Sequence, residues 1–233
     1  MTSRRLICAS ISRLAVSVLL LVAFVTQSHA QLSLKYERDS VPLFCGVAVS
    51  VDLAGLAQRA LGSYGQYEAA LRVNLHNQYF PIVELGMGDA RHNDDAVTGI
   101  CYSARAPYFR IGGDVNIMNK KHTGNRVFFG IRYGFTNYKA TITRPGLKDP
   151  VWQWDVDYNI SGESRSQHWG EVIFGLDARI FGPVHIGWTG RYRFRLSHND
   201  GTMGKSWYVP GYGLQNGSVL GYNFYLAFDL NIK

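Results

Sequence analysis

Cysteine is scarce in this chain. Only three occur in 233 residues, at positions 8, 45 and 101, and none stands at a Cys/His spacing that builds a metal centre. Basic runs are short as well. None exceeds Lys120-Lys121, and the other cations are scattered among acids, so the footprint of a nucleic-acid binder is missing. Long apolar helical stretches are missing too: residues 14–25 form one apolar run, too short to cross a bilayer, and no comparable run follows. Lysine is absent from every segment that reads as a strand. What remains is a chain with 25 Gly, 14 Tyr, 12 Phe and 5 Trp, organised by alternation.

The first thirty residues have their own logic. Arg4, Arg5 and Arg13 precede the apolar run, and Ser28-His29-Ala30 makes a small-x-small site, so residues 1–30 are expected to be a signal peptide cleaved before Gln31. Residues 31–43 then form a polar, periplasmic leader and residues 44–233 one domain. Cleavage removes three arginines and no acid, which lowers the formal charge from +7 to +4. Export would permit a disulfide between Cys45 and Cys101, but the strand order below sets them at opposite ends of one fold, so two free thiols are expected.

The alternation is plainest in residues 184–196. Val184, Ile186, Trp188, Tyr192, Phe194 and Leu196 share one parity, whereas His185, Thr189, Arg191, Arg193 and Arg195 share the other. Period two means a strand, and this one exceeds an ordinary strand and matches a tilted bilayer crossing. Seven more segments follow the rule: 44–53, 67–75, 79–87, Phe109 to Ile117, 126–135, 168–180 and 219–232. Pro81 predicts a local bulge or a lost ladder bond in the third. The connections alternate between long (53–66, with a weak helical look over 53–61; 89–107; 139–165; 197–217) and short (76–78; 119–125; 181–183). Loop three, 139–165, has room for a hairpin of its own.

Charge separates with the parity. Arg72, Arg110, Arg126, Arg132, Arg179, Arg191, Arg193 and Arg195, with Asp52, Glu68, Glu84, Asp114, Glu171, Asp177 and Asp229, all fall on the less apolar side. A lipocalin-like soluble barrel would show the same alternation turned inside out. Volume decides between them: the apolar parity is bulky, while the polar one carries Gly86, Gly112, Gly130, Gly175, Gly187 and Gly221, and the interior of eight strands holds little more than its own side chains. The expected fold is therefore all-β, an eight-stranded antiparallel up-and-down transmembrane β-barrel. Tyr79, Phe181 and Phe228 at one end and Phe109, Phe135, Tyr192 and Tyr222 at the other supply its aromatic girdles.

Four phrases, Gly65-Gln66-Tyr67-Glu68-Ala69-Ala70-Leu71-Arg72, Pro107-Tyr108-Phe109-Arg110-Ile111-Gly112, Gly182-Pro183-Val184-His185-Ile186-Gly187-Trp188 and Trp207-Tyr208-Val209-Pro210-Gly211-Tyr212-Gly213, resemble an uncharacterised family of small Gram-negative outer-membrane barrels. More loosely, the layout is similar to the transmembrane domain of outer-membrane protein A. The resemblance implies the fold and the cell outer membrane, and it supplies no catalytic residues. The terminal Ile232-Lys233 departs from the aromatic ending common in such barrels.

Inside a narrow barrel the charges must pair, and Glu68, Arg72, Glu84, Arg110, Asp114, Arg132, Glu171, Asp177, Arg191 and Arg193 are expected to form a network that plugs the lumen. The alternative is a narrow pore whose arginines prefer anions. A lipid-modifying enzyme is a further alternative, with Ser166, His168 and Glu171 or Ser197, His198 and Asp200 as its candidate groups; the chain is read as non-enzymatic. His92-Asn93-Asp94-Asp95 lacks the ligand spacing of a calcium loop, so no metal and no cofactor is expected. Trp152, Trp154, Trp207, Tyr208 and Tyr212 are the recognition candidates of the external loops. Expected partners are outer-membrane lipid and lipopolysaccharide, with periplasmic chaperones and the barrel-assembly machinery, around a monomer; no nucleic acid is among them.

Overall fold

The computed structural model of the chain describes residues 41–93, 99–119, 123–149, 151–199, 206–214 and 218–230. The expected signal peptide and most of the leader lie outside them, as do Asp94 and Asp95, Asp200 and the last three residues. Among the described residues no helix is long and apolar enough to cross a membrane.

The domain is all-β. Among the described residues its strands are β1 (Phe44–Asp52), β2 (Tyr64–Leu75), β3 (Tyr79–His92), β4 (Cys101–Asn116), β5 (Arg126–Lys148), β6 (Asp155–Phe181), β7 (Val184–Asn199), the two-residue β8 (Tyr208–Val209) and β9 (Gly213–Leu214), and β10 (Ser218–Leu230), with one helix, α1 (Leu53–Leu61). Eight of the strands pair antiparallel with their neighbours, and β10 returns to β1 so that the sheet closes in a ring; β8 and β9 form a separate hairpin. Each strand therefore has one face toward a common interior and one toward the surroundings.

The two ends of the ring differ. At the turn end the chain reverses in three residues after β2, where His76 and Asn77 adopt positive φ (57° and 54°). That is the backbone a tight hairpin needs, and Asn74 Oδ1 stabilises it by accepting from Asn77 N at 2.9 Å. Pro81 causes no bulge against β4, where it faces Gly113, but the β2 ladder skips it between Ile82 and Tyr79.

At the loop end the strands run further than their alternation of apolar and charged residues predicts. β4 begins at Cys101, inside the expected loop two, and β5 and β6 climb through most of expected loop three, their bulges near Ile142 and Leu147 notwithstanding. Loop three adds no strand to the ring. Lys139 and Lys148 consequently lie within a strand, contrary to the expected confinement of lysine to loops. The reason is a change of phase: above Phe109 and Phe135 the inward positions of β3, β4 and β5 become mostly apolar, with Ala90, Tyr102, Ala104, Ala106, Tyr138 and Ala140 buried in one cluster, and the outward ones polar, while β6 keeps Arg165 and Gln167 buried inside. Residues 53–61, which show a weak helical pattern, do form α1. Asp52 caps it, its carboxylate accepting from Ala54 N and Gly55 N at 3.0 and 3.2 Å.

The outward apolar parity is exposed along the ring, with Leu71, Leu85, Ile111, Ile131, Phe174, Trp188 and Leu226 among its members. The inward parity does contain bulky rings, against the volume expectation, and the glycines explain how they fit. Tyr108 faces Gly86, Phe128 faces Gly175, Tyr225 faces Gly187 and Trp169 faces Gly134 across adjacent strands. A Cβ at any of these four glycines would overlap the facing ring, so each aromatic lies down in the space its neighbour leaves. Cys45 lies at the turn end and Cys101 at the loop end, and no disulfide joins them.

Candidate functional site: a charged interior under a folded plug

All ten residues named for the interior network are brought into it. In the middle of the ring, Arg110 is fully buried, and its guanidinium reaches Glu84 Oε2 at 2.7 Å, Glu68 Oε2 at 2.8 Å and Glu171 Oε1 at 3.2 Å. Arg191 contacts the same three acids from the opposite strands, at 2.8, 3.4 and 3.3 Å. Arg132 joins Glu84 at 3.3 Å to Asp114 at 2.7 Å, and Arg193 lies 3.4 Å from Glu171. Neutral donors complete the shell: the Tyr108 hydroxyl donates to Glu68 at 2.6 Å and Trp169 Nε1 to Glu171 at 2.7 Å. Each of the three glutamates has at least two cationic or neutral donors. A buried charge without such partners costs several kcal/mol, roughly.

Toward the turn end the arrangement narrows to one acid. Asp177 accepts from Arg126 at 2.9 Å, Arg72 at 3.4 Å, Tyr225 at 2.8 Å and His185 Nδ1 at 2.8 Å. The far side of His185 reaches Asp229 at 2.9 Å. Arg126 also lies over the Phe80 ring, and Arg72 between Phe128 and Tyr225, all within cation–π range. Arg126, Tyr225, His185 and Asp229 are the members beyond the ten named; Arg126 and Asp229 were among the charges of the inward parity, whereas Tyr225 and His185 were not counted. Their signal is their inward parity beside Asp177, which Arg126 and His185 carry in the sequence.

The mouth at the loop end is filled by the chain itself. Residues 206–214, from expected loop four, fold inward around the β8–β9 hairpin, and the network holds their backbone: Arg110 Nη2 donates to Gly211 O at 3.0 Å and Arg193 Nη1 to Tyr212 O at 2.8 Å. From the wall, the Tyr102 hydroxyl donates to Tyr208 O at 2.6 Å, and Ser206 meets Tyr138 and Arg165 at 2.7 and 2.6 Å. Burial pushes the Tyr208 phenol up to about 12, so it stays protonated and donates to Gly65 O at 3.3 Å. Two polar cavities of about 20 Å³ each remain inside, one beside Glu68 and Arg132 and one beside Phe80 and Arg126, and Arg72 lines both. Each has room for about one water.

The five aromatic recognition candidates therefore divide. Tyr208 and Tyr212 are buried in the plug, and Trp207 is half-buried between Tyr64 and His92, its ring centroid 4.7 Å from the His92 ring. Trp152 and Trp154, at the tip joining β5 to β6, are 71% and 65% exposed with ring centroids 6.0 Å apart. Sequence reasoning treated the two loops alike because both are rich in aromatics. Only burial separates them.

The first candidate catalytic set, Ser166, His168 and Glu171, is not assembled. His168 faces outward, hydrogen-bonded through Nδ1 to the Tyr133 hydroxyl at 2.7 Å, whereas Glu171 lies in the interior network. Of the other set, Asp200 lies outside the described residues, where Asp94 and Asp95 of the weighed cation turn also fall. Among the described residues no group of three or more His, Cys, Asp or Glu could hold a metal ion.

Residues 11–233 match a family whose description is a domain of unknown function (DUF6048). No curated protein matches the chain, and no solved structure does.

Proposed function

The chain belongs to the DUF6048 family, and we propose that within it this member is a non-enzymatic, monomeric outer-membrane barrel with a closed lumen and one presented hairpin. A single observation carries the reading: polarity is inverted across the wall, with arginines and carboxylates paired inside and large apolar side chains exposed outside. In water such a surface is an aggregation hazard, because exposed apolar patches of soluble monomers rarely exceed a few hundred Å², roughly. In hydrocarbon it is the expected face, since each Arg or Lys turned toward the lipid midplane costs about 2–4 kcal/mol.

The belt also has a limited height. On β5 the outward residues Val127, Phe129, Ile131, Tyr133 and Phe135 give way to Asn137 and Lys139, so the apolar part covers about 27 Å of strand, or about 20 Å of height at a 40° tilt. That agrees with the apolar band of an outer-membrane barrel. Outer-membrane lipid and lipopolysaccharide would cover the belt, and delivery would use the signal peptide at residues 1–30, periplasmic chaperones and the barrel-assembly machinery. The presented element is the β5–β6 hairpin, with Trp152 and Trp154 at its tip.

The test is to express the full-length sequence in a Gram-negative host and fractionate the envelope. The reading expects the chain in the outer-membrane fraction, shortened by its leader, with a gel band whose mobility changes on boiling. Recovery as a soluble periplasmic or cytoplasmic protein would overturn it.

A further inference from the structure

Just above the belt, the outward face of three adjacent strands turns cationic. Arg91 on β3, Arg105 on β4 and Lys139 on β5 are all exposed. The ladders bring them together: Arg105 faces Asp89 across β3 and β4, and the register that pairs Ala104 with Ala140 and Tyr108 with Thr136 sets Arg105 opposite Lys139. Side chains so opposed have Cβ atoms about 5 Å apart, and like charges there repel. Asp89, opposite Arg105, offsets this only in part, because its buried carboxylate is shared with Arg59 at 3.3 Å and Arg91 at 3.8 Å. Among the described residues, Arg105 and Lys139 have no ion-pair partner.

What lies beneath them gives the direction of a ligand. Phe109 and Phe135, with ring centroids 5.6 Å apart, stand on the same outward faces of β4 and β5, two outward positions nearer the belt, past Pro107 and Asn137. On β6 and β7 the same height carries Ser164, Ser166, Ser197 and Asn199 instead, so the cationic patch occupies one side of the rim. A group suited to it has an anionic head matching two guanidiniums and an ammonium, and an apolar tail that continues over the phenylalanines.

We propose that Arg91, Arg105 and Lys139 dock the phosphate of an anionic membrane-lipid headgroup, whose acyl chains descend over Phe109 and Phe135. The proposal rests on the outer-membrane reading above and names the lipid chemistry of one side of the rim. Arginine forks match phosphate oxygens two at a time, and the lysine adds a point charge. The bound phosphate would also relieve the repulsion between Arg105 and Lys139.

The full-length chain, extracted in mild detergent and inserted into phosphatidylcholine nanodiscs, can be titrated with phosphatidylglycerol and its retained lipid counted by native mass spectrometry. The wild type should retain phosphatidylglycerol over phosphatidylcholine, and the variant R105Q/K139Q should weaken that retention about thirtyfold. The control R144Q/K148Q, further up the same hairpin, should leave it unchanged. Equal retention by wild type and R105Q/K139Q would overturn the site. Displacement by inorganic phosphate as readily as by lipid would overturn the lipid assignment. A chain that will not enter nanodiscs overturns the outer-membrane reading and this proposal together, whereas one that enters and shows no preference overturns this proposal alone.

Discussion

The interior holds two charge clusters built on different plans. In the middle of the ring three glutamates share Arg110 and Arg191, so each cation keeps two acids when the third is lost. Near the turn end a single carboxylate, Asp177, receives two arginines, a histidine and a tyrosine. The mesh spreads risk and the hub concentrates it. The difference follows from width: the middle layer draws on β2, β3, β4, β6 and β7 at once, while the turn-end layer is crowded by Phe80, Phe128 and Tyr225, leaving room for few acids.

Substitutions can break or sharpen that contrast. The largest effect should come from the hub: Asp177→Ala strands Arg126 and removes one carboxylate from each of Arg72 and His185, and should cost about 3–5 kcal/mol in reversible urea unfolding from lipid vesicles. In the mesh, Glu68→Gln keeps the shape and leaves Arg110 and Arg191 with two acids each; about 1–3 kcal/mol is expected. If the two losses are equal, the distinction between hub and mesh is wrong. Next comes the plug. Tyr102→Phe deletes the bond to Tyr208 O and should lower stability by about 1 kcal/mol while speeding amide hydrogen exchange at Val209 and Tyr212 above that at β10. The smallest effect belongs to the hairpin tip: Trp152→Ala with Trp154→Ala should stay within about 0.5 kcal/mol of wild type, and any lost adhesion to a cell-surface partner would then reflect recognition.

Much of this was legible in residue order, for a physical reason. A charge in the wall has one acceptable side, so Arg72, Glu84, Arg110 and Asp177 declare their parity and the ring follows. The tight turns were equally plain. The upper strands were not, because the rule that apolar side chains face outward stops holding at the belt's edge. Tyr102-Ser103-Ala104-Arg105-Ala106 alternates as regularly as any strand, yet with the apolar residues inward, and small alanines give that inverted phase a weak signal. The plug was hidden differently. Gly211 and Tyr212 are held by Arg110 and Arg193, and Tyr208 by Tyr102, through backbone carbonyls, which leave no trace in side-chain chemistry.

The central claim is a ring closed by paired charge and by its own chain. Single-channel conductance in a planar bilayer tests it most directly, using the full-length protein processed by its host and verified as inserted by its heat-dependent mobility. The account predicts silence, because the two cavities beside Arg72 hold about one water each and Arg110, Arg191 and Arg193 are occupied by the glutamates. A steady, anion-selective current would contradict it, and would make Arg110, Arg191 and Arg193 the lining of a pore.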